Sequence, residues 1–144
     1  MKESFEEKTE YKLCKLQPDD WEKLRNIRLS AVKESPQAFG DTVEETNSRS
    51  EEVERAWIAN AHIYVIEDRG VPVSAATFRQ DTDGVWEINA VWTDPVHRQK
   101  GLSRKILEQI LVDAKKMNIN LLRLDVNPVQ VAAVNLYESL GFKR

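Results

Sequence analysis

Asp94-Pro95-Val96-His97-Arg98-Gln99-Lys100-Gly101-Leu102-Ser103-Arg104 is the stretch that decides how this chain folds. The apolar run 85–93 leads into it and reads as a strand. Leu102, Ile106, Ile110, Ala114 and Met117 follow at helical spacing and mark the buried side of a helix over 99–117. A strand, a tight basic turn and a helix N-terminus, in that order, form an anion site. The first helical amides lack intrahelical partners, and the dipole adds roughly half a positive charge there. Arg98, Lys100 and Arg104 add formal charge at the same end, and the small residues Gly101 and Ser103 let a phosphate approach the backbone.

The chain upstream reads as alternating short elements. Residues 11–16 form a first strand. Pro18 opens a helix with Asp19 and Asp20 in its first turn, and Trp21, Leu24, Ile27 and Ala31 form its buried stripe. Residues 35–40 break that helix into a loop. Ser48 with Glu51 suggests a capping box for the next helix, whose stripe is Val53, Ala56 and Trp57. Strands over 63–67, 73–79 and 85–93 make a meander with turns at Arg69-Gly70 and 81–84. Downstream, Lys115 and Lys116 suit a helix C-terminus, with Asn118 as a left-handed cap. Residues 121–126 form a strand, and 129–140 a last helix closed by Gly141. A crossover helix between the strands at 85–93 and 121–126 makes them a parallel pair in an otherwise antiparallel sheet. The fold class is therefore α/β, of the α+β mixed-sheet kind, with 11–144 as one domain and 1–10 as a charged, frayed extension.

Composition narrows the function. The 144 residues suit one core, with 41% hydrophobic and 31% charged residues. A net charge of −3 argues against a general nucleic-acid binder, so the basic turn is a local feature suited to a small polyanion. The single cysteine, Cys14, excludes an internal disulfide, suits a reducing, cytoplasmic setting, and reads as core. No apolar run is long enough to span a bilayer. His62 and His97 are the only histidines, with no cysteine cluster, so no metal site is implied, and His97 reads as a solvated loop residue. The four tryptophans read as core. A nucleotide-phosphate module is the weaker alternative, because the glycine-rich loop ending in Lys-Ser/Thr is missing.

Arg98-Gln99-Lys100-Gly101-Leu102-Ser103 resembles the Gln/Arg-x-x-Gly-x-Gly/Ala signature of the GNAT-type N-acetyltransferases, with Ser103 where that family takes Gly or Ala. Gln130-x-x-Ala133-x-x-Leu136-Tyr137-x-x-x-Gly141-Phe142 is similar to its second signature, with Gln130 in place of Asn. The approach Trp92-Thr93-Asp94-Pro95 and the loop 35–40 are also similar, so the likeness runs over about residues 11–142 in family order. The resemblance implies an enzyme that moves an acetyl group from acetyl-CoA to a primary amine, small-molecule or peptide, by direct attack in a ternary complex. It implies that backbone groups of Val91, Trp92 and Thr93 pair with the pantetheine arm. Amides and side chains of Arg98, Gln99, Lys100, Gly101, Leu102, Ser103 and Arg104 would hold the pyrophosphate. Asn127 and Gln130 are the further candidates for the arm.

Tyr137, taken alone, is a core aromatic beside Leu136 and Leu140. The resemblance makes it the general acid that protonates the leaving thiolate. Glu87 lies eleven residues before Arg98, an offset similar to that of a catalytic glutamate in the histone-acetylating members of the family, and the resemblance makes it the candidate base, directly or through a water. A half-buried carboxylate with a raised pKa suits that task, while a structural ion pair is the competing reading. Strand alternation puts Glu87, Asn89, Val91 and Thr93 on one face and Trp86, Ile88, Ala90 and Trp92 on the other. A non-catalytic acyl-CoA-binding module is the alternative function. The family continues past Gly-Phe with two more strands, whereas this chain stops at Arg144. The strand at 121–126 is thus expected at an open edge, covered by a partner (a second copy of the chain included) or exposed in a fragment.

Overall fold

The computed structural model describes residues 9–144, and residues 1–8 of the expected extension lie outside them. Five strands form one sheet in the order β1 (Tyr11–Lys15), β2 (His62–Asp68), β3 (Val71–Gln80), β4 (Trp86–Thr93) and β5 (Leu122–Leu124). The first four run antiparallel. β4 and β5 are the parallel pair that the crossover demanded. The β2–β3 hairpin turns through Arg69 and Gly70, both at positive φ, as a two-residue turn matched to strand twist requires.

Helices cover both faces. α5 (Leu102–Lys116) and α6 (Val131–Ser139) lie on one, α1 (Trp21–Glu34) and α4 (Glu51–Asn60) on the other. The larger core sets Tyr64, Ile66, Phe78 and Ile88 of the sheet against Ile106, Leu107 and Ile110 of α5. All seven are at most 2% exposed. The second core packs Ile63 and Val65 against Leu24 and Ile58. Opposite parity on β2 thus sorts its side chains between two helical layers, the ordinary arrangement for a sheet buried on both sides.

Local chemistry differs from the sequence expectation at several points. The expected loop at 35–40 contains a helical turn, α2 (Pro36–Phe39), because proline presets the first position and left-handed Gly40 closes it. α3 (Val43–Ser48) was not anticipated. Thr42 Oγ1 caps it by accepting from the Glu45 amide at 3.0 Å. Ser48, expected to cap the next helix, ends α3, and Ser50 caps α4 by accepting from the Val53 amide at 3.1 Å. α5 starts at Leu102 rather than Gln99, since Gln99 and Gly101 both take positive φ. β5 spans three residues of the six expected, and α6 is shorter than 129–140. Gly141 and Asn118 close their helices as foreseen. Both stand at positive φ, and the next amide reaches back to Tyr137 O at 3.1 Å and to Ala114 O at 3.0 Å.

The alternation expected along β4 fails at Ala90. Thr77 pairs with Asn89 and Ala75 with Trp92, so two β4 residues oppose the single Ala76. This is a β-bulge, with Ala90 at φ 53°. It reverses the faces beyond it. Ile88 and Val91 pack on the α5 side, whereas Trp92 packs with Ile27 and Ala31 of α1.

Candidate active site

Strand pairing between β4 and β5 ends at Ile88 and Leu124. From there the two strands part, and among the described residues the β5-facing backbone of residues 89–93 has no strand partner. The parting opens into a groove of about 1600 Å³ bounded by β4, the β5–α6 connection, the N-terminal ends of α5 and α6, and the α1–α2 corner. It collects nearly every residue singled out from the sequence. Glu87, Val91, Trp92, Thr93, Arg98, Gln99, Gly101, Leu102, Ser103, Arg104, Asn127, Gln130 and Tyr137 all line it. Lys100 does not. It stays exposed beside the turn, and among the described residues no carboxylate pairs with it.

The turn presents backbone donors to the groove. The first helical bond of α5 runs from the Lys105 amide to Gly101 O at 3.1 Å, and no side chain caps the helix. The amides of Leu102, Ser103 and Arg104 therefore have no intrahelical acceptor. A Cβ placed on Gly101 would meet nothing within 4 Å, so the approach to these amides is open. Ser103 is not idle in the turn. Its Oγ lies 2.9 Å from Thr93 Oγ1, which lies 2.8 Å from Ser74 Oγ.

The charges are less free than the sequence implied. Arg98 donates to Thr93 O at 3.0 Å and to Glu34 Oε1 at 2.7 Å. Arg104 donates to Ser139 Oγ at 2.6 Å and so ties α5 to α6. Glu34 also accepts from the Trp92 indole at 2.9 Å and from the Ser35 hydroxyl. Those hydrogen bonds, Ser35 and Trp92 first and then Arg98, bring its carboxyl down to about 2. His97 is not a solvated residue either: it is half-buried, with Nδ1 2.7 Å from Tyr11 Oη.

Glu87 departs most from expectation. Arg123 donates to its Oε2 at 2.8 Å, Arg79 to its Oε1 at 3.2 Å, and Asn89 to Oε1 at 3.3 Å. The Arg123 hydrogen bond leads in holding the carboxyl below its ordinary value, against the rise expected for a half-buried base. Tyr137 behaves as expected of a buried phenol: 9% exposed, edge-on to Phe142, with its pKa raised by desolvation.

Glu34 and Phe39, from the loop 34–48 that the sequence assigns to the acceptor pocket, also line the groove. Asn89, which the sequence does not mark as a site residue, lines it too, and Ser74 stands behind Thr93. Nothing along the chain marks the ion pair of Glu34, because its partner is 64 positions away.

The profile of the Acetyltransferase (GNAT) family matches residues 21–142, nearly the whole chain. The chain belongs to that family. Membership makes it an acetyl-CoA-dependent acyltransferase, and its fold is shared with solved acetyltransferase structures. The chain is 25% identical over 123 residues to the L-methionine sulfoximine/L-methionine sulfone acetyltransferase of Salmonella typhimurium, covering 83% of this chain and 72% of that protein. A shorter stretch of 49 residues is 41% identical to the [ribosomal protein bS18]-alanine N-acetyltransferase of Escherichia coli, covering 34% of this chain and 33% of that one. Among solved structures, yncA of Salmonella typhimurium with its cofactor acetyl-CoA superposes with a TM-score of 0.73 at 22% identity, over 93% of this chain and 80% of that chain.

Proposed function

We propose that this GNAT-family chain transfers the acetyl group of acetyl-CoA to a primary amine, on a small molecule or a peptide, by direct attack within a ternary complex. The observation that carries this reading is the single groove in which free β4 backbone, the uncapped α5 N-terminus and the buried Tyr137 phenol meet. The relatives support an amine acceptor. One is named for acetylating methionine sulfoximine and sulfone, the other for acetylating an alanine of a ribosomal protein.

Each residue then has a task. Backbone groups of Val91, Trp92 and Thr93 pair with the pantetheine arm as an added strand would, because β5 pairs with β4 no further than Ile88, with Thr93 O already accepting from Arg98 and Trp92 O from Ser74. The amides of Leu102, Ser103 and Arg104 hold the pyrophosphate, with Lys100 adding charge from the rim. Asn127 and Gln130 face the arm from the other wall. Amide donors of β4 polarise the thioester carbonyl where negative charge develops. Burial keeps the Tyr137 proton in place at neutral pH, ready for the departing thiolate. Glu87 is ionised and fully engaged by arginines, so its part is to draw the proton of the amine away through a water rather than to take it as a strong base.

Acetyl-CoA turnover against a panel of primary amines, followed by release of free thiol, tests the proposal. Amine-dependent thiol release with a matching acetylated product is expected. Tight CoA binding with no thiol release for any amine would replace it with a binding module.

A further inference from the structure

Ser74, Thr93 and Ser103 form a chain of hydroxyls from the middle of the sheet to the wall of the groove. Ser74 is fully buried on β3, Thr93 ends β4, and Ser103 sits in the first turn of α5. The oxygen separations are 2.8 Å from Ser74 to Thr93 and 2.9 Å from Thr93 to Ser103. At the inner end, Ser74 Oγ is 3.2 Å from Trp92 O. Each hydroxyl has one proton to give. Three settings leave a proton between every neighbouring pair of hydroxyls, but when Ser74 and Ser103 both donate to Thr93 its own proton bonds nothing in the chain, so two settings use all of the chain's protons in sequence. In the inward setting Ser103 donates to Thr93, Thr93 to Ser74, and Ser74 to Trp92 O. In the outward setting Ser74 donates to Thr93, Thr93 to Ser103, and Ser103 into the groove.

We propose that Ser74 and Thr93 are positioning residues that set the direction of the Ser103 proton and thereby tune the affinity of the cradle for the cofactor's pyrophosphate. This rests on the reading of the α5 N-terminus as the pyrophosphate site. The inward setting keeps three bonds within the protein and the outward setting two, with the Ser103 proton left to the solvent of the groove and the buried Trp92 O without its donor, so the free protein favours turning the Ser103 proton inward. A charged phosphate oxygen is a stronger acceptor than water and reverses the chain, at the expense of the longest bond, to Trp92 O. No proton leaves its oxygen; three O–H bonds rotate.

The balance carries an unusual sign. Removing the Ser74 hydroxyl deletes two of three bonds from the inward setting but one of three from the bound outward setting. Ser74→Ala therefore tightens CoA binding, by about fivefold for one ordinary net hydrogen bond. A residue that merely supports the fold would leave affinity unchanged or weaken it. Thr93→Val cuts the same chain and acts in the same direction.

Calorimetric titration of CoA into the wild type, Ser74→Ala, Ser103→Ala and the double variant tests this, with acetyl-pantetheine as the phosphate-free control. The expected result is tightening in Ser74→Ala, loss of that tightening once Ser103→Ala is added, and no change toward acetyl-pantetheine. Unchanged or weakened CoA binding in Ser74→Ala, or tightening that survives Ser103→Ala, would overturn the proposal. Melting curves monitor folding, and Thr93→Val supplies the same test should Ser74→Ala unfold. Wild-type protein that binds CoA no better than acetyl-pantetheine would overturn the pyrophosphate site itself, an outcome distinct from failure of the hydroxyl chain.

Discussion

Glu34 and Arg98 meet at 2.7 Å across 64 residues of sequence, and the pair joins the end of α1 to the turn that opens α5. The other carboxylate oxygen holds the Trp92 indole, so one side chain fixes both the floor and the rim of the groove. Arg98 is 46% exposed and Glu34 28%, which limits the pair's worth to roughly 1 kcal/mol or less after solvent screening. Glu34→Gln is therefore expected to lower stability modestly and to weaken CoA binding several-fold through disorder in the turn. The Glu34 carboxyl lies below its unfolded value of 4.5, at about 2. Its contribution is fully present above pH about 4.5 and fades as pH falls toward 2. The stability gap between wild type and Glu34→Gln should thus close over that window. Urea melts at pH 7 and pH 3 check it, and a gap that is constant or widens in acid contradicts the assignment.

Tyr137 has to be separated from its own packing. It belongs to the α5-side core, and the carbonyl of residue 137 anchors the helix cap at Phe142. Tyr137→Phe retains the ring and the backbone and removes only the proton. A general acid typically contributes about 100-fold or more. The expected result is a kcat loss of about 100-fold, an acetyl-CoA KM within about twofold of wild type, and little change in melting temperature. Full kcat in Tyr137→Phe would return the residue to the core-aromatic reading.

The three-strand meander and the parallel pair were legible because they follow from hydrophobic period and connection length, whereas the place of β1 beside β2 is set by a pairing across about fifty residues. Asn118 and Gly141 were legible because left-handed backbone selects few residue types, whereas Gly101, read as lying inside a helix from Gln99, takes φ 75° just ahead of one. The β4 bulge was not legible, since Ala90 looks like any strand residue and its φ of 53° is imposed by the pairing with β3. Glu87 shows the same limit in electrostatics. Its offset from Arg98 is written along the chain, but the arginines that lower its pKa come from β3 and β5. A residue's place in a motif is local information, whereas its ionisation belongs to neighbours brought in by the sheet.

Cys14 is expected to be a quiet thiol. Its Sγ donates to Glu67 Oε1 at 3.0 Å, and burial together with that carboxylate pushes its pKa up to about 11. That leaves roughly 100-fold less thiolate at neutral pH than the ordinary value of 9.0 would. Native protein should react with an aromatic disulfide reagent at about that much below the rate of the urea-unfolded chain. Equal rates would mean that the Cys14–Glu67 contact does not persist in solution.

Gly101 tests the cradle directly. At φ 75° it occupies backbone that a side chain resists, at about 1–2 kcal/mol for L-residues. The open space around its Cβ position shows that no neighbouring atom adds to that strain. Gly101→Ala is expected to lower stability by about 1 kcal/mol, while CoA affinity falls by at least tenfold because the new methyl stands where the phosphates approach the α5 amides. Binding of acetyl-pantetheine, which brings no phosphate, should change far less. Equal losses toward both ligands would show that the substitution acts through the fold and not through the cradle.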